Sequence, residues 1–168
     1  MDQASGLSFL NVGSGSGYLS SIVSVLVGPR GSVHGVEIHA NVVKWSQERF
    51  AEFSRSVTSG TIARDVRFVV GNALSIDAER NCRYDRIYCG AQGKDVDAEF
   101  FMKLLKPGGI MVGPFDDKLQ LIRRAHSDDS FDSKLISRVR FAEMVRPGGS
   151  ASPKGGGLVV GRATASGV

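Results

Sequence analysis

The sequence predicts an α/β fold, a doubly wound and mostly parallel sheet that closes with a C-terminal antiparallel hairpin. Three observations predict it. Between residues 7 and 114, short apolar runs of strand length alternate with longer stretches of helical periodicity. The first apolar run stops abruptly at the small residues Gly13, Ser14, Gly15, Ser16 and Gly17. After Phe115 the alternation gives way to two extended segments joined by a polar turn.

Taken in order, residues 7–12 read as a buried strand meeting a turn, and 18–27 has the composition of a buried helix despite its β-branched residues. Gly28, Pro29 and Gly31 end that helix, and 32–37 reads as the second strand. A helix predicted over 40–53 puts Val43, Phe50 and Phe53 on one face with Trp45 nearby, opposite Lys44, Gln47 and Glu48. The polar stretch 54–65 reads as a loop, 66–70 as the third strand ending at Gly71 and Asn72, and 84–89 as the fourth. Residues 96–105 suit a helix, closed by a stop and turn at Lys106, Pro107, Gly108 and Gly109 before a fifth strand over 110–114. Segments 119–125 and 134–144, separated by Ser127, Asp128, Asp129 and Ser130, read as a hairpin at the sheet edge. From Pro147 the composition is Gly, Ser, Ala and Pro with only Leu158, Val159 and Val160 apolar. That composition predicts a domain over 1–146 and a disordered Gly/Ser-rich tail over 147–168.

A chain of 168 residues, 42% hydrophobic, fills one core, so a single domain is expected. The net charge of +4 is unevenly placed: residues 1–120 carry 13 basic and 13 acidic side chains, and residues 121–168 carry 8 and 4. Arg123, Arg124, Lys134, Arg138, Arg140 and Arg146 could face an acidic partner, but no aromatic residues alternate with them as in nucleic-acid binders. They read as a solvated hairpin face, with no nucleic-acid partner expected. No apolar run approaches the ~18 residues of a membrane span, and the N-terminus lacks a secretory pattern. A soluble, cytoplasmic protein without a membrane partner is the expectation. Cys82 and Cys89 form no metal-ligand spacing and read as reduced thiols, and His34, His39 and His126 are scattered, so no metal site is expected.

The chemical signal lies in the loop and the acid that follows it. Glycines let the backbone turn sharply and let a ligand approach, and the helix after the loop offers free N–H groups. Glu37, at the end of the second strand, can accept both hydroxyls of an adenosine ribose. A nicotinamide dinucleotide fingerprint would place Gly or Ala where Tyr18 stands. Gly13, Gly15 and Gly17 with a later acid suit S-adenosyl-L-methionine, whose methionine part can lie over the loop. Asn72, after the third strand, can hydrogen-bond the polar edge of adenine.

The segments 9–19, 35–38, 69–72, 84–91 and 104–109 resemble, in order and spacing, those of protein-L-isoaspartate O-methyltransferases. Asn11, residues 18–21 and residues 88–91 resemble more closely the subgroup called protein-L-isoaspartate O-methyltransferase domain-containing proteins, as does the hairpin end at 141–147. The resemblance implies a Rossmann-like class I methyltransferase sheet and S-adenosyl-L-methionine as cofactor. It implies that Gly13, Ser14, Gly15 and Gly17 form the methionine-side loop, that Glu37 and Ile38 contact ribose and adenine, and that Asn72, Ala73 and Leu74 form the adenine rim. The implied activity is methylation of isoaspartyl carboxylates in damaged proteins or peptides.

Against the resemblance, Asn11 stands where the enzymatic members have Asp, and Val145 replaces a Thr of their last strand. The family's region before the first strand, with its Ser-Ala-Pro type loop, has no counterpart, so inefficient turnover by the chain as written is expected. The alternative is a weak or silent cofactor-binding adaptor of the domain-containing subgroup. Ubiquitin-ligase components would enter as partners only with a C-terminal extension. No residue is singled out as a catalytic base, because a carboxylate of pKa ~4 is already ionised at neutral pH and alignment supplies much of the rate.

Overall fold

The computed structural model describes residues 6–79, 83–147 and 158–160. Seven strands form one sheet: β1 (Ser8–Val12), β2 (Ser32–Glu37), β3 (Asp65–Val70), β4 (Tyr84–Cys89), β5 (Leu105–Phe115), β6 (Lys118–Arg124) and β7 (Phe131–Arg138). Three helices join them: α1 (Tyr18–Val27), α2 (Ala40–Ser56) and α3 (Asp95–Met102). The strand order is β3-β2-β1-β4-β5-β6-β7; β1 to β5 run parallel, β6 pairs antiparallel with β5, and β7 pairs antiparallel with β6. Chain order therefore reverses between β1 and β4. In such sheets that switch point opens a crevice at the carboxyl ends of the strands.

Side chains alternate across a strand, and β1 divides the core accordingly. Leu10 and Val12 join Tyr84, Ile87, Phe101, Leu104, Met111 and Phe115 on the α3 face, while Phe9 joins Val27 and Val33 on the α1 face. Each large apolar side chain so buried contributes about 1.5–3 kcal/mol. Helix α2 anchors its amphipathic face through Val43 and through Phe50, whose ring lies 5.8 Å from that of Phe68. Trp45, expected near that face, is exposed.

The strand and helix boundaries through β4 follow the sequence expectation closely; later segments depart from it, beginning with α3, which ends at Met102 rather than at 105. Lys106 to Gly109 are not a free turn: they lie within β5, where the pairing with β4 shifts register between Tyr84 and Arg86 and Gly108 takes φ 75°. The driving force is the burial of Leu104 and Leu105, both fully enclosed, which pulls the chain into the sheet one turn early. The second hairpin strand ends at Arg138 rather than running to 144. Beyond it the backbone leaves β6 and pairs with the loop after β4: Gln92 N donates to Ala142 O at 2.8 Å and Met144 N to Gln92 O at 2.7 Å.

The expected free tail fails at Leu158–Val160. Leu158 N donates to Ser75 O and Asp77 N to Leu158 O, forming a bridge with Ile76, and Val160 is 2% exposed within the α3-side core. Two apolar side chains here recover enough surface to fix three residues, which the polar composition around them concealed. The remaining tail positions, and Cys82, lie outside the described residues.

Candidate cofactor site

The site forms at the switch point because strand ends there leave backbone groups without ladder partners. Gly13, Gly15 and Gly17 all have positive φ, carrying the chain from β1 into α1 through a tight turn closed by Gly17 N donating to Ser14 O. Gly17 has a second constraint: a Cβ there would stand 2.9 Å from the Phe68 ring. Gly35 in β2 is the counterpart, since its Cβ would meet Ser14 at 2.8 Å. The loop is thus seated on β2 and β3 by close backbone approach.

Glu37 closes this arrangement. One carboxylate oxygen accepts from Ile38 N at 2.9 Å and His39 N at 3.1 Å, and the other accepts from Gly15 N at 3.2 Å. Such charge-assisted bonds hold the acid at the mouth of the crevice. Across from it, Asn72 accepts from Leu74 N at 2.9 Å, capping a 3-10 turn at Ala73–Ser75, and donates to Val145 O at 2.8 Å.

Residues 141–146 cross above the crevice as a strap. Besides its two backbone bonds, Gln92 accepts from Phe141 N and donates to Asp117 through its side chain. Arg146 donates to Asp97, a buried acid whose other oxygen accepts from Lys94 N at 2.7 Å. Strap and strand ends enclose a cleft of about 280 Å³.

Of the expected site residues, Gly13, Glu37, Ile38, Asn72 and Ala73 line this cleft. Ser14, Gly15, Gly17 and Leu74 support it from behind: Ser14 is buried, Gly15 holds Glu37, Gly17 starts α1, and Leu74 packs against the core. Asn11 turns away from the cleft and donates to Ser20 of α1 at 3.0 Å. The wall residues Gly90 and Ala91, and Ala142 to Val145 from the strap, were not expected as contacts. Gly90 and Ala91 could have been found, since they follow β4 at the switch point. No local signal marks 142–145, whose position depends on a pairing with Gln92 some 50 residues away in the chain.

Among the described residues no His, Cys, Asp or Glu group is arranged to hold a metal ion. Burial pushes the Cys89 thiol far above its usual range, which removes it as a nucleophile. What remains fits a nucleoside with a short zwitterionic arm. A carboxylate faces where paired hydroxyls would lie, Val36, Ile38, Ala73 and Met144 offer apolar flanks for a base, and the small residues Gly13 and Gly90 leave the floor open.

A switch-point cleft with a glycine loop and a strand-end acid, on a seven-stranded sheet of this topology, defines the class I methyltransferase fold. The chain belongs to the protein-L-isoaspartate (D-aspartate) O-methyltransferase family, which it matches over residues 2–147. It is 31% identical over 150 residues to a protein-L-isoaspartate O-methyltransferase of Methanococcus maripaludis, covering 89% of this chain and 66% of that relative. The chain therefore spans about two thirds of the length of the curated relatives it matches. A Plasmodium falciparum chain assigned as a protein-L-isoaspartate O-methyltransferase, solved with S-adenosyl-L-homocysteine, superposes with a TM-score of 0.66 at 19% identity, covering 83% of this chain and 66% of that one. Another protein-L-isoaspartate O-methyltransferase structure gives 0.65 at 24% identity, covering 88% and 44%.

Proposed function

We propose that this chain is the cofactor-binding domain of an S-adenosyl-L-methionine-dependent O-methyltransferase that acts on isoaspartyl carboxylates of proteins. The observation that carries the reading is the Glu37 carboxylate, fixed by three backbone N–H groups at the mouth of the switch-point cleft. Membership of the family supports the substrate class. No helix among the described residues is long and apolar enough to cross a membrane. A cytoplasmic setting is part of the proposal.

When bound, the cofactor supplies an electrophilic methyl group on a sulfonium. The chain's own work is to bind, orient and exclude water. Glu37 would accept the ribose hydroxyls, its carboxylate being held toward the cleft by Gly15 N, Ile38 N and His39 N. Ala73 and Ile38, which line the cleft, would flank the adenine, and Asn72 acts chiefly by fixing the strap, since its amide is already engaged with Leu74 N and Val145 O. The strap, tied down by Gln92 and by the Arg146–Asp97 pair, shields the cleft from water. An acceptor carboxylate of pKa ~4 is ionised at neutral pH, so no base is required and rate comes from alignment.

Calorimetry with S-adenosyl-L-homocysteine tests the cofactor half. Glu37→Ala should weaken binding by about 1–3 kcal/mol, from loss of charge-assisted hydrogen bonds. Equal affinity in the two proteins would remove the ribose assignment, and tighter binding of NADH would remove the class. Transfer of a labelled methyl group to an isoaspartyl peptide, against the matching aspartyl peptide, tests the substrate half.

A further inference from the structure

Among the described residues, the switch-point cleft is lined by two carboxylates, Glu37 and Glu143, with His39 beside them and no lysine or arginine. Glu37 is engaged by three backbone N–H groups. Glu143, in the strap, is exposed, and its carboxylate has no partner among the described residues. Its place is nonetheless fixed by the pairing with Gln92. On either side of it, Ala142 O and Met144 N bond to the Gln92 backbone at 2.8 and 2.7 Å, and Gln92 Oε1 accepts from Phe141 N at 3.0 Å. Arg146, the strap's own cation, is held by the buried Asp97. The pairing also decides which end of the cleft Glu143 borders. Gln92 follows Gly90, which lies against the glycine loop: a Cβ on it would stand 3.2 Å from Gly13 O. The adenine rim is the other end, where Asn72 donates to Val145 O at 2.8 Å. Two residues of extended chain, roughly 7 Å, separate Glu143 from that contact. Glu143 also lines a polar cavity of about 440 Å³ beyond the strap, so it stands at the margin of the cleft.

We infer that Glu143 binds the α-ammonium group of the amino-acid arm of S-adenosyl-L-methionine, which rests on the function proposed above. With its base at Ala73 and its ribose at Glu37, the cofactor directs that arm toward Gly13 and Gly90, the end that Glu143 borders. The ligand carries two positive charges, sulfonium and ammonium, against one carboxylate. Glu37 is spent on neutral hydroxyls, and Asn11, whose amide turns to Ser20, brings no charge. Glu143 is then the carboxylate left to balance the excess. Of the two cations, the sulfonium lies nearer the ribose and has no hydrogen to donate, whereas an ammonium at the end of the arm offers three donors. A charge-assisted bond of this kind strengthens as the ligand displaces water from the cleft.

Calorimetry on the full chain with Glu143→Gln, which keeps the size of the side chain and removes its charge, tests this. The ligands are S-adenosyl-L-homocysteine, S-adenosyl-L-methionine and the analogue of S-adenosyl-L-homocysteine that lacks only the α-amino group. The expected result is a loss of about fivefold in affinity for the first two alike and none for the des-amino analogue. The loss should shrink at high salt. If the variant does not fold, the unaltered chain reads the same contact: its preference for S-adenosyl-L-homocysteine over the des-amino analogue should be about fivefold and should fall with salt. Equal affinity of the two proteins for S-adenosyl-L-homocysteine would overturn the inference and, with Glu37→Ala still weakening binding, leave the proposed function standing. A loss confined to S-adenosyl-L-methionine would overturn it in favour of the sulfonium, and an equal loss with the des-amino analogue would reduce Glu143 to a support of the strap. An unaltered chain that binds none of the three ligands would remove the proposed function and the inference with it.

Discussion

At Gly17 two requirements meet in one residue, a φ of 77° and a ring of Phe68 where a Cβ would project. Gly17→Ala should therefore destabilise the fold by about 1–3 kcal/mol, and urea unfolding monitored by circular dichroism measures it. A change within a few tenths of a kcal/mol would mean that Phe68 and the loop yield without strain. His34 is the second residue with a sharp consequence. It is fully enclosed, with Nδ1 2.9 Å from the Tyr84 hydroxyl and Nε2 3.2 Å from Asp65, and burial holds its pKa below the ordinary 6.5 despite the acid beside it. The unfolded chain then binds the proton more readily than the folded one. The stability contributed by neutral His34 is present above pH 6.5 and is lost as pH falls below that value toward the folded pKa. Unfolding free energies at pH 7.5, 6.5 and 5.5 should decline in that order, and His34→Gln should flatten the decline. A wild-type slope of zero over this range would show that the network accepts the proton.

Among the elements, the strap at 141–146 links cofactor retention to a single side chain. Gln92→Ala removes the bonds to Phe141 N and Asp117 and leaves the backbone pairing. Affinity for S-adenosyl-L-homocysteine should fall about fivefold, for a loss near 1 kcal/mol, and exchange of the 142–145 amides should quicken. Unaltered exchange would show that the backbone bonds alone hold the strap. The same element shows where sequence reading stops. The glycine loop, Glu37 and the alternation of strands and helices up to β4 are written locally, in spacing and composition, and the structure places them accordingly. The strap reads locally as more hairpin, because residues 134–144 are extended throughout. Only the distant Gln92 decides that 142–144 pair elsewhere. Likewise Lys106 to Gly109 carry the residues of a turn, and burial of Leu104 and Leu105 overrides them. Helix α1 was legible as apolar, but its composition did not show that Ser20 and Ser24 share its buried face with Val27 while Tyr18 and Leu26 are exposed.

For the molecule as a whole, Leu158–Val160 pack onto the sheet beyond the domain end expected at 146. Leu158 covers Gly71, whose Cβ would stand 2.7 Å from it, and Val160 completes the α3-side core. Deleting residues 148–168 should cost about 2 kcal/mol and lower the melting temperature by about 4–8 °C. A shift within error would show that the sheet repacks without the docked residues. The docking also turns a peptide bond into a switch for the neighbouring turn that Asn72 caps. Lys154 precedes the docked residues and Arg162 follows them, so both are tryptic bonds with opposite effects. A cut after Arg162 leaves Leu158 and Val160 tethered to the body of the chain. A cut after Lys154 makes them part of a separate peptide, docked through the backbone bonds of Leu158 to Ser75 and Asp77 and through two apolar side chains, too little to resist dilution. Proteolysis at one lysine would thus strip the support from beneath Ala73 while every residue of the glycine loop stays in place.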